Sequence, residues 1–226
     1  MILSPGRGYV FIHIPKTGGT SLALALEARA MKDDLMLGDT PKARRRRQRL
    51  QGAKARGRLW KHSTLADIEG LVPDTVLDGL FAFTLVRNPW ARMLSYHSWL
   101  RQQSFDHRAV ALAKRLDFRD FVTHPETRAS LRGHPYPSYM RRSDGREQCA
   151  TYIRLEHFAD DAAPLFAHLG FRLDLPHENR SGSDPVGQEM GQEMGQSDYR
   201  PAYTEAAART VAEDCASDIA RFGYSF

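Results

Sequence analysis

Two periods of apolar side chains alternate along the chain and predict strands that are followed by helices. Residues 9–14, YVFIHI, are rich in β-branched and aromatic side chains and predict a buried strand. Residues 81–86, FAFTLV, form an almost continuous apolar run, which is typical of a central strand in a parallel sheet. Residues 152–155 predict another strand, and residues 58–62, RLWKH, a short one. Strands that alternate with helices indicate an α/β fold with a central parallel sheet and right-handed crossovers.

The helices are marked by capping residues and by apolar side chains at helical spacing. Thr20 or Ser21 can cap a helix that runs to about Met31, and Asn88 followed by Pro89 predicts the start of another. In that second helix the side chains expected to face the core are Trp90, Met93, Leu94 and His97. Further helices are predicted over 65–71, 74–80, much of 104–135 with Asp117 as a cap, and 157–169 with an end at Gly170. The last predicted helix begins near Thr204 and has Cys215 in its apolar stripe. Residues 135–145 predict a surface loop.

Length and composition favour one globular domain. The chain has 226 residues, of which 42% are hydrophobic and 26% charged, and this balance favours a globular chain over a disordered one. No run approaches the roughly 18 apolar residues of a membrane span. Two cysteines are too few for a disulfide framework and fit a reduced, cytoplasmic protein. We predict a single domain over residues 1–226, with a basic insert at 42–58 and a flexible loop at about 180–198 that holds the repeat GQEMGQEMGQ.

The net charge of +5 comes from the basic insert. Lys and Arg number 32 against 27 Asp and Glu, but residues 42–58, KARRRRQRLQGAKARGR, hold nine basic residues and no acidic one. The other 209 residues therefore carry 23 minus 27 charges, or −4. Three roles stay open for the insert: a solvated exposed segment, a surface for an anionic acceptor such as an acidic glycan, and a nucleic-acid contact. Nucleic acid is the least favoured partner, because Trp60 is the one aromatic residue close to the insert.

The first candidate site is HIPKTGGTS, residues 13–21, which lies between the first predicted strand and its helix. Backbone N–H groups and the helix dipole make such a turn attractive to anions, and glycines allow close approach. Lys16 adds a positive charge. The lysine precedes the glycines, so the pattern departs from the Walker A loop of ATPases and GTPases. The predicted anion ligands are Lys16, Thr17, Gly18, Gly19, Thr20 and Ser21.

The second candidate site is VRNPWARMLSY, residues 86–96. Arg87 comes directly after a buried strand, at the edge where open α/β sheets bind ligands. Arg92 and Ser95 are three residues apart and share one face of the following helix. An arginine and a serine beside a helix N-terminus can hold a second phosphate, although an ion pair that only stabilises the fold stays open for both arginines.

These two segments, HIPKTGGTS and LVRNPWARMLSYH, resemble the cofactor motifs of sulfotransferases that use 3′-phosphoadenosine 5′-phosphosulfate (PAPS), above all the carbohydrate sulfotransferases. The resemblance implies a three-layer fold like that of P-loop nucleotidases. It implies that Lys16 and the backbone of residues 17–21 hold the phosphosulfate, and that Arg87 and Ser95 hold the 3′-phosphate. The similarity covers residues 9–31, 80–100, 150–170 and 199–226, and it does not cover the basic insert or the repeat.

The resemblance also suggests a general base. Related carbohydrate sulfotransferases use a histidine or a glutamate from the part of the chain where His62 lies, and an imidazole suits removal of a proton from a hydroxyl. Glu27 and His13 remain competitors. We therefore expect PAPS as donor, Lys16 and His62 as catalytic residues, a hydroxyl acceptor on a carbohydrate, and no metal.

Two other functions stay open from the sequence. One is a nucleotide-dependent kinase with an atypical phosphate loop, which would need an Asp for Mg²⁺ near a strand end. The other is a non-enzymatic protein that binds polyanions through the basic insert.

Overall fold

The computed structural model describes residues 1–175 and 198–226, and these residues form an α/β fold with a five-stranded mixed sheet. They group into two compact units, Met1–Val86 with residues 136–175, and Arg87–Pro135 with residues 198–226. The predicted flexible loop at about 180–198 and its repeat lie outside the described residues, apart from the loop's last position. The single domain stays a prediction.

The sheet lies in the first unit and has the strand order β3-β1-β2-β4-β5. Its centre is parallel as predicted, because β2 pairs in parallel with β4, and β4 with β5. The prediction of a parallel sheet is wrong for the other edge, where β1 pairs antiparallel with both β2 and β3. The strands are β1 Ile2–Ser4, β2 Tyr9–Ile12, β3 Leu35–Met36, β4 Phe81–Val86 and β5 Thr151–Arg154.

The two antiparallel strands are too short to give a periodic signal. β1 has three residues and β3 has two. The turn at Pro5–Arg7 reverses the chain so that Ile2 of β1 pairs with Phe11, and β3 is held by its pairing with β1. This turn closes with Gly8 in the left-handed region at φ 67°, where glycine carries no Cβ penalty.

Helices accompany these strands in the first unit and make up the second unit. Within the first unit, α1, α9 and α10 pack on the sheet face that carries Tyr9, Phe11 and Phe83. Among the described residues every helix is too short or too polar to span a bilayer. The helices are α1 Gly19–Ala28, α2 Pro41–Arg46, α3 Asp74–Asp78, α4 Pro89–Arg101, α5 Arg108–Arg115, α6 Phe118–Thr123, α7 Pro125–Gly133, α8 Tyr136–Tyr139, α9 Phe158–Asp161, α10 Ala163–Leu169, α11 Glu205–Asp214 and α12 Ala216–Phe222.

The predicted strand at 58–62 and helix at 65–71 are both wrong. The hydroxyl of buried Ser63 accepts from the Trp60 N–H at 2.9 Å and donates to the Arg58 carbonyl at 2.8 Å, which bends this stretch into a turn. Farther along, the N–H groups of Leu65 and Ala66 donate to the 139–141 stretch instead of to a helix of their own. Backbone groups bonded to a distant segment cannot also close helical turns.

The surface loop predicted at 135–145 is in large part buried. Its first residues form α8, and Tyr136 and Met140 have no exposed surface. Arg142 is 7% exposed and donates to three carboxylates, at 2.7 Å to Glu69, 2.7 Å to Asp78 and 3.1 Å to Asp74. The proline and the polar residues of this segment predicted a surface loop. Arg142 can nevertheless be buried because it forms ion pairs with residues about 70 positions earlier in the chain.

The second unit follows its sequence signals closely. Asn88 caps α4 by accepting from the N–H groups of Trp90 and Ala91 at 3.1 and 3.4 Å. Asp117 caps α6 as predicted. The predicted core residues Trp90, Met93 and His97 are buried, Leu94 is partly buried, and Cys215 is a buried thiol at the junction of α11 and α12.

Candidate anion-binding site

The loop after β2 is stabilised by an internal hydrogen bond of Thr17. Its side chain is fully buried, and its hydroxyl donates to the carbonyl oxygen of Ile14 at 2.9 Å. This bond fixes the turn across the Pro15–Lys16 pair. The hydroxyl proton of Thr17 is therefore used within the loop.

Two residues of the loop occupy the left-handed region. Lys16 has φ 67°, a conformation that is uncommon for a residue with a side chain, and Gly18 has φ 84°. Strained backbone of this kind is concentrated at binding sites and switch regions. A side chain on Gly18 would also collide with Leu155, whose Cδ1 lies 2.7 Å from the ideal Cβ position.

The start of α1 differs from the prediction that Thr20 or Ser21 would cap it. The N-cap is Gly18, which has no side-chain oxygen, and the helix begins at Gly19. Thr20 and Ser21 therefore lie inside the first turn, the former exposed and the latter half-buried. Since Gly18 gives the first turn no capping oxygen, this ten-residue helix presents N–H groups and the positive end of its dipole beside Lys16.

Gly19 is required by a close contact with His13. A Cβ at Gly19 would lie 2.1 Å from His13 Cδ2 and 2.5 Å from His13 Nε2. The imidazole thus occupies the space that a side chain would fill. The second glycine of the motif is explained by this packing, independently of any ligand.

We expect Gly19→Ala to destabilise the protein by about 1–3 kcal/mol, because the buried imidazole cannot swing away as an exposed side chain would. In a His13→Ala background the same change should cost close to nothing, and chemical denaturation of the four variants measures the coupling. Gly133→Ala is the matched control, since nothing lies within 4 Å of its Cβ position in α7. Equal costs of Gly19→Ala in both backgrounds would contradict the contact.

His62 is joined to the residue that precedes the loop. Its Nδ1 lies 2.8 Å from the backbone carbonyl oxygen of His13, and the two rings meet edge to face with centroids 4.7 Å apart. A carbonyl oxygen can only accept, so Nδ1 is the protonated nitrogen. In the neutral ring the lone pair is therefore on Nε2, which is the nitrogen that can act as a base.

The ring of His62 is also held from its other side by Trp60, at a centroid distance of 5.0 Å. Trp60 is 42% exposed and carries the guanidinium of Arg58 over its ring at 5.3 Å. The turn closed by Ser63 supports both residues. The hydrogen bond to the His13 carbonyl and the ring contacts with His13 and Trp60 thus preorganise the candidate base.

Burial strongly affects the other imidazole. The pKa of His13 is well below its ordinary value, first because the ring is buried and then because His62, Lys61 and Lys16 place positive charge around it. The ring is therefore neutral at pH 7. Lys16 is half-buried in the same loop.

Glu27, a competing candidate for the base, lies far from the loop. It is buried and eight residues after Gly19, which is about 12 Å along the axis of α1. Its carboxylate accepts from the Thr40 hydroxyl, and its backbone carbonyl accepts from the Lys42 ammonium. Glu27 anchors the start of the basic insert.

The basic insert, predicted to be exposed, faces both inward and outward. Lys42 donates to the Glu27 carbonyl, Arg46 to the Met31 carbonyl at 2.6 Å, and Arg49 to the Lys32 carbonyl. These carbonyls belong to the end of α1 and the residues after it. The exposed cations are Arg44, Arg45, Arg47, Arg49, Lys54, Arg56 and Arg58.

The second motif is ordered in its own unit. Arg87 follows the last residue of β4, and the carboxyl ends of β4 and β2 lie at one edge because these strands are parallel neighbours. Arg87 and, on α4, Arg92 and Ser95 are half-buried. Asn88 links the start of α4 to the chain end by donating to the Ser225 carbonyl at 2.9 Å.

Comparison with protein families, with curated proteins and with solved structures finds no match for this chain. Within residues 1–175 and 198–226, no group of three or more His, Cys, Asp or Glu side chains is arranged to hold a metal ion. The site is therefore interpreted from its own geometry. The sequence indicated Lys16 and His62, whereas the partnership of His13 with Gly19 depends on a packing contact that no spacing pattern reports.

Proposed function

We propose that the chain is a sulfotransferase that moves a sulfuryl group from PAPS to a hydroxyl, with a carbohydrate as acceptor. The observation that carries the proposal is the bond from His62 Nδ1 to the backbone just before the anion loop. It holds the imidazole Nδ1 at a backbone carbonyl that is close in sequence to a lysine and a helix N-terminus. The motif resemblance supports the same conclusion, together with a three-layer P-loop-like fold. The two cysteines fit a cytoplasmic location.

In this mechanism Lys16 and the N–H groups of residues 17–21 hold the phosphosulfate. The acceptor oxygen attacks sulfur, and the bond from sulfur to the bridging oxygen breaks. The electron pair stays on that oxygen as part of the 5′-phosphate, whose growing charge Lys16 neutralises. The acceptor proton passes to Nε2 of His62.

The 3′-phosphate of the donor is assigned to Arg87 and Ser95. An arginine suits a phosphate because its planar guanidinium can donate two parallel hydrogen bonds. Support comes from the position of Arg87 at the carboxyl end of β4, next to the strand that leads into the anion loop. Open α/β sheets bind nucleotides at this edge.

An anionic glycan is the acceptor class that the surface charge favours. The outward cations Arg44, Arg45 and Arg47 lie on α2 and directly after it, in the same unit as His62. Cations on this side would attract carboxylates or sulfates and raise the encounter rate at low salt.

Calorimetry with 3′,5′-adenosine bisphosphate and with ATP plus Mg²⁺ tests the proposal. We expect the bisphosphate to bind more tightly than ATP. A preference for ATP would favour the kinase, and binding of neither nucleotide would favour a non-enzymatic polyanion-binding protein.

His62→Ala should leave the bisphosphate affinity unchanged and lower kcat about 10²- to 10⁴-fold, because only proton removal is lost. The measurement is release of bisphosphate from PAPS in the presence of heparosan, chondroitin or dextran. His134→Ala, at an exposed histidine in the second unit, is the control. Turnover unchanged in His62→Ala would remove His62 as the base.

A further inference from the structure

His13 is a buried polar side chain that the mechanism above does not use. It lies between β2 and the anion loop and is 7% exposed. Within the described residues neither ring nitrogen takes part in a hydrogen bond, whereas the backbone carbonyl accepts the bond from His62 Nδ1. The His13 nitrogens are not among the fully buried atoms that lack a partner, so they keep some accessible surface and can be reached by a ligand.

The surroundings of the ring define which ligand it can reach. One side stacks on Phe11 at a centroid distance of 5.9 Å, and the edge of His62 lies at 4.7 Å. The Nε2 side lies against Gly19, the first residue of α1. The imidazole therefore lies between the candidate base and the helix end that faces the anion.

The protonation state of His13 suits donation without proton transfer. Burial, followed by the charges of His62, the Met1 amino group, Lys61 and Lys16, keeps its pKa well below the ordinary value. A neutral imidazole still has one N–H. Such a group can stabilise developing negative charge without giving up its proton.

We propose that His13 donates its ring N–H to an oxygen of the sulfuryl group as that group passes from PAPS to the acceptor. The inference rests on the proposed function and adds a catalytic residue to it. His13 gains and loses no proton in the step, since the acceptor proton goes to His62 and the electron pair of the broken bond to the bridging oxygen.

Three variants test this contact. His13→Phe keeps a ring of similar size and removes the N–H, whereas His13→Gln restores an N–H donor near the position of Nε2. His13→Met is a flexible apolar substitute in case the phenyl ring does not fit. The matched control is His168→Gln, because His168 stacks on Phe81 at the amino end of β4, away from the loop.

The readouts are bisphosphate release from PAPS as a function of pH, bisphosphate affinity by calorimetry, and the melting temperature. We expect His13→Phe and His13→Met to lower kcat about 10²- to 10³-fold, and His13→Gln to recover at least tenfold of that loss. Bisphosphate affinity should stay within about twofold, because this product lacks the sulfuryl group. The shape of the pH–rate profile should stay that of the wild type, because the proposed base His62 is unchanged.

Two results would overturn the inference separately from the proposed function. If the wild-type protein releases bisphosphate from PAPS and a folded His13→Phe or His13→Met variant does so within threefold of its rate, His13 makes no such contact. If kcat, bisphosphate affinity and melting temperature fall together and His13→Gln gives no recovery, the ring is a packing residue. A wild-type protein that binds bisphosphate tightly but never turns over PAPS would overturn the proposed function and this inference with it.

Discussion

Replacing Lys16 by asparagine should lower sulfuryl transfer from PAPS by about 10²- to 10³-fold while the free energy of unfolding stays nearly unchanged. The reason is that the position makes two separate demands. The chemistry needs an ammonium group beside the helix N-terminus, and the backbone needs a residue that tolerates φ 67°. Asparagine meets the second demand and fails the first, since it enters the left-handed region more readily than other residues with side chains.

The measurement is kcat for bisphosphate release, with unfolding followed in parallel. Lys16→Gly is the matched control, because glycine also accepts this φ and also lacks the charge. Both variants should lose the same activity. Lys16→Arg should retain part of it, since the charge remains but the compact ammonium is replaced by a planar group. Activity close to wild type in the asparagine variant would show that Lys16 is a turn residue alone.

Arg142→Ala should destabilise the protein by about 3 kcal/mol, the second large effect that we expect. Removing the guanidinium leaves the carboxylate of Glu69, whose side chain is 11% exposed, with only the exposed and more distant Arg56 guanidinium, at 4.0 Å, as a cation among the described residues. The value lies at the low end for a broken buried pair because Asp74 and Asp78 remain solvated. Arg146→Ala is the matched control: its half-exposed guanidinium also pairs with Asp78, and its loss should change stability little.

The same cluster predicts a pH dependence. Burial raises the pKa of Glu69, but the hydrogen bonds from Ser143 and Arg142 outweigh it and bring the pKa from 4.5 down to about 2. A carboxylate whose pKa is lower in the folded state contributes its full stabilisation at pH values above its unfolded-state pKa. That stabilisation is lost as the pH falls toward the folded-state pKa. Between pH 5 and pH 2 the wild type should therefore lose stability more steeply than Arg142→Ala. Parallel curves in urea denaturation at these pH values would contradict the assignment.

The sequence predicts elements well where a local signal decides them. The apolar run of β4 and the Asn88-Pro89 start of α4 are confirmed because burial and capping act within a few residues. The predictions for residues 58–71 are wrong because the backbone hydrogen bonds of this segment go to other partners. These partners are Ser63 in a turn and the segment near Tyr139. Short strands such as β1 and β3 likewise depend on their partners and leave no pattern of their own.

The candidate site divides in the same way. The segment HIPKTGGTS directly shows a lysine beside glycines between a predicted strand and a predicted helix. The candidate base His62 follows from the resemblance to carbohydrate sulfotransferases. Three features cannot be predicted from the sequence, because each depends on the three-dimensional path of the loop. They are the left-handed backbone of Lys16, the glycine N-cap of α1 and the packing of His13 against Gly19.

The basic insert has a consequence for how the charge of this protein is understood. Lys42, Arg46 and Arg49 turn toward carbonyls at the end of α1 and just beyond, where the helix dipole is negative. They act as counterions to the chain's own peptide groups. Truncating the insert would consequently remove hydrogen bonds that support the end of the helix starting at the anion loop. Neutralising Arg44, Arg45 and Arg47 would instead change the electrostatic potential at the protein surface and leave those hydrogen bonds in place.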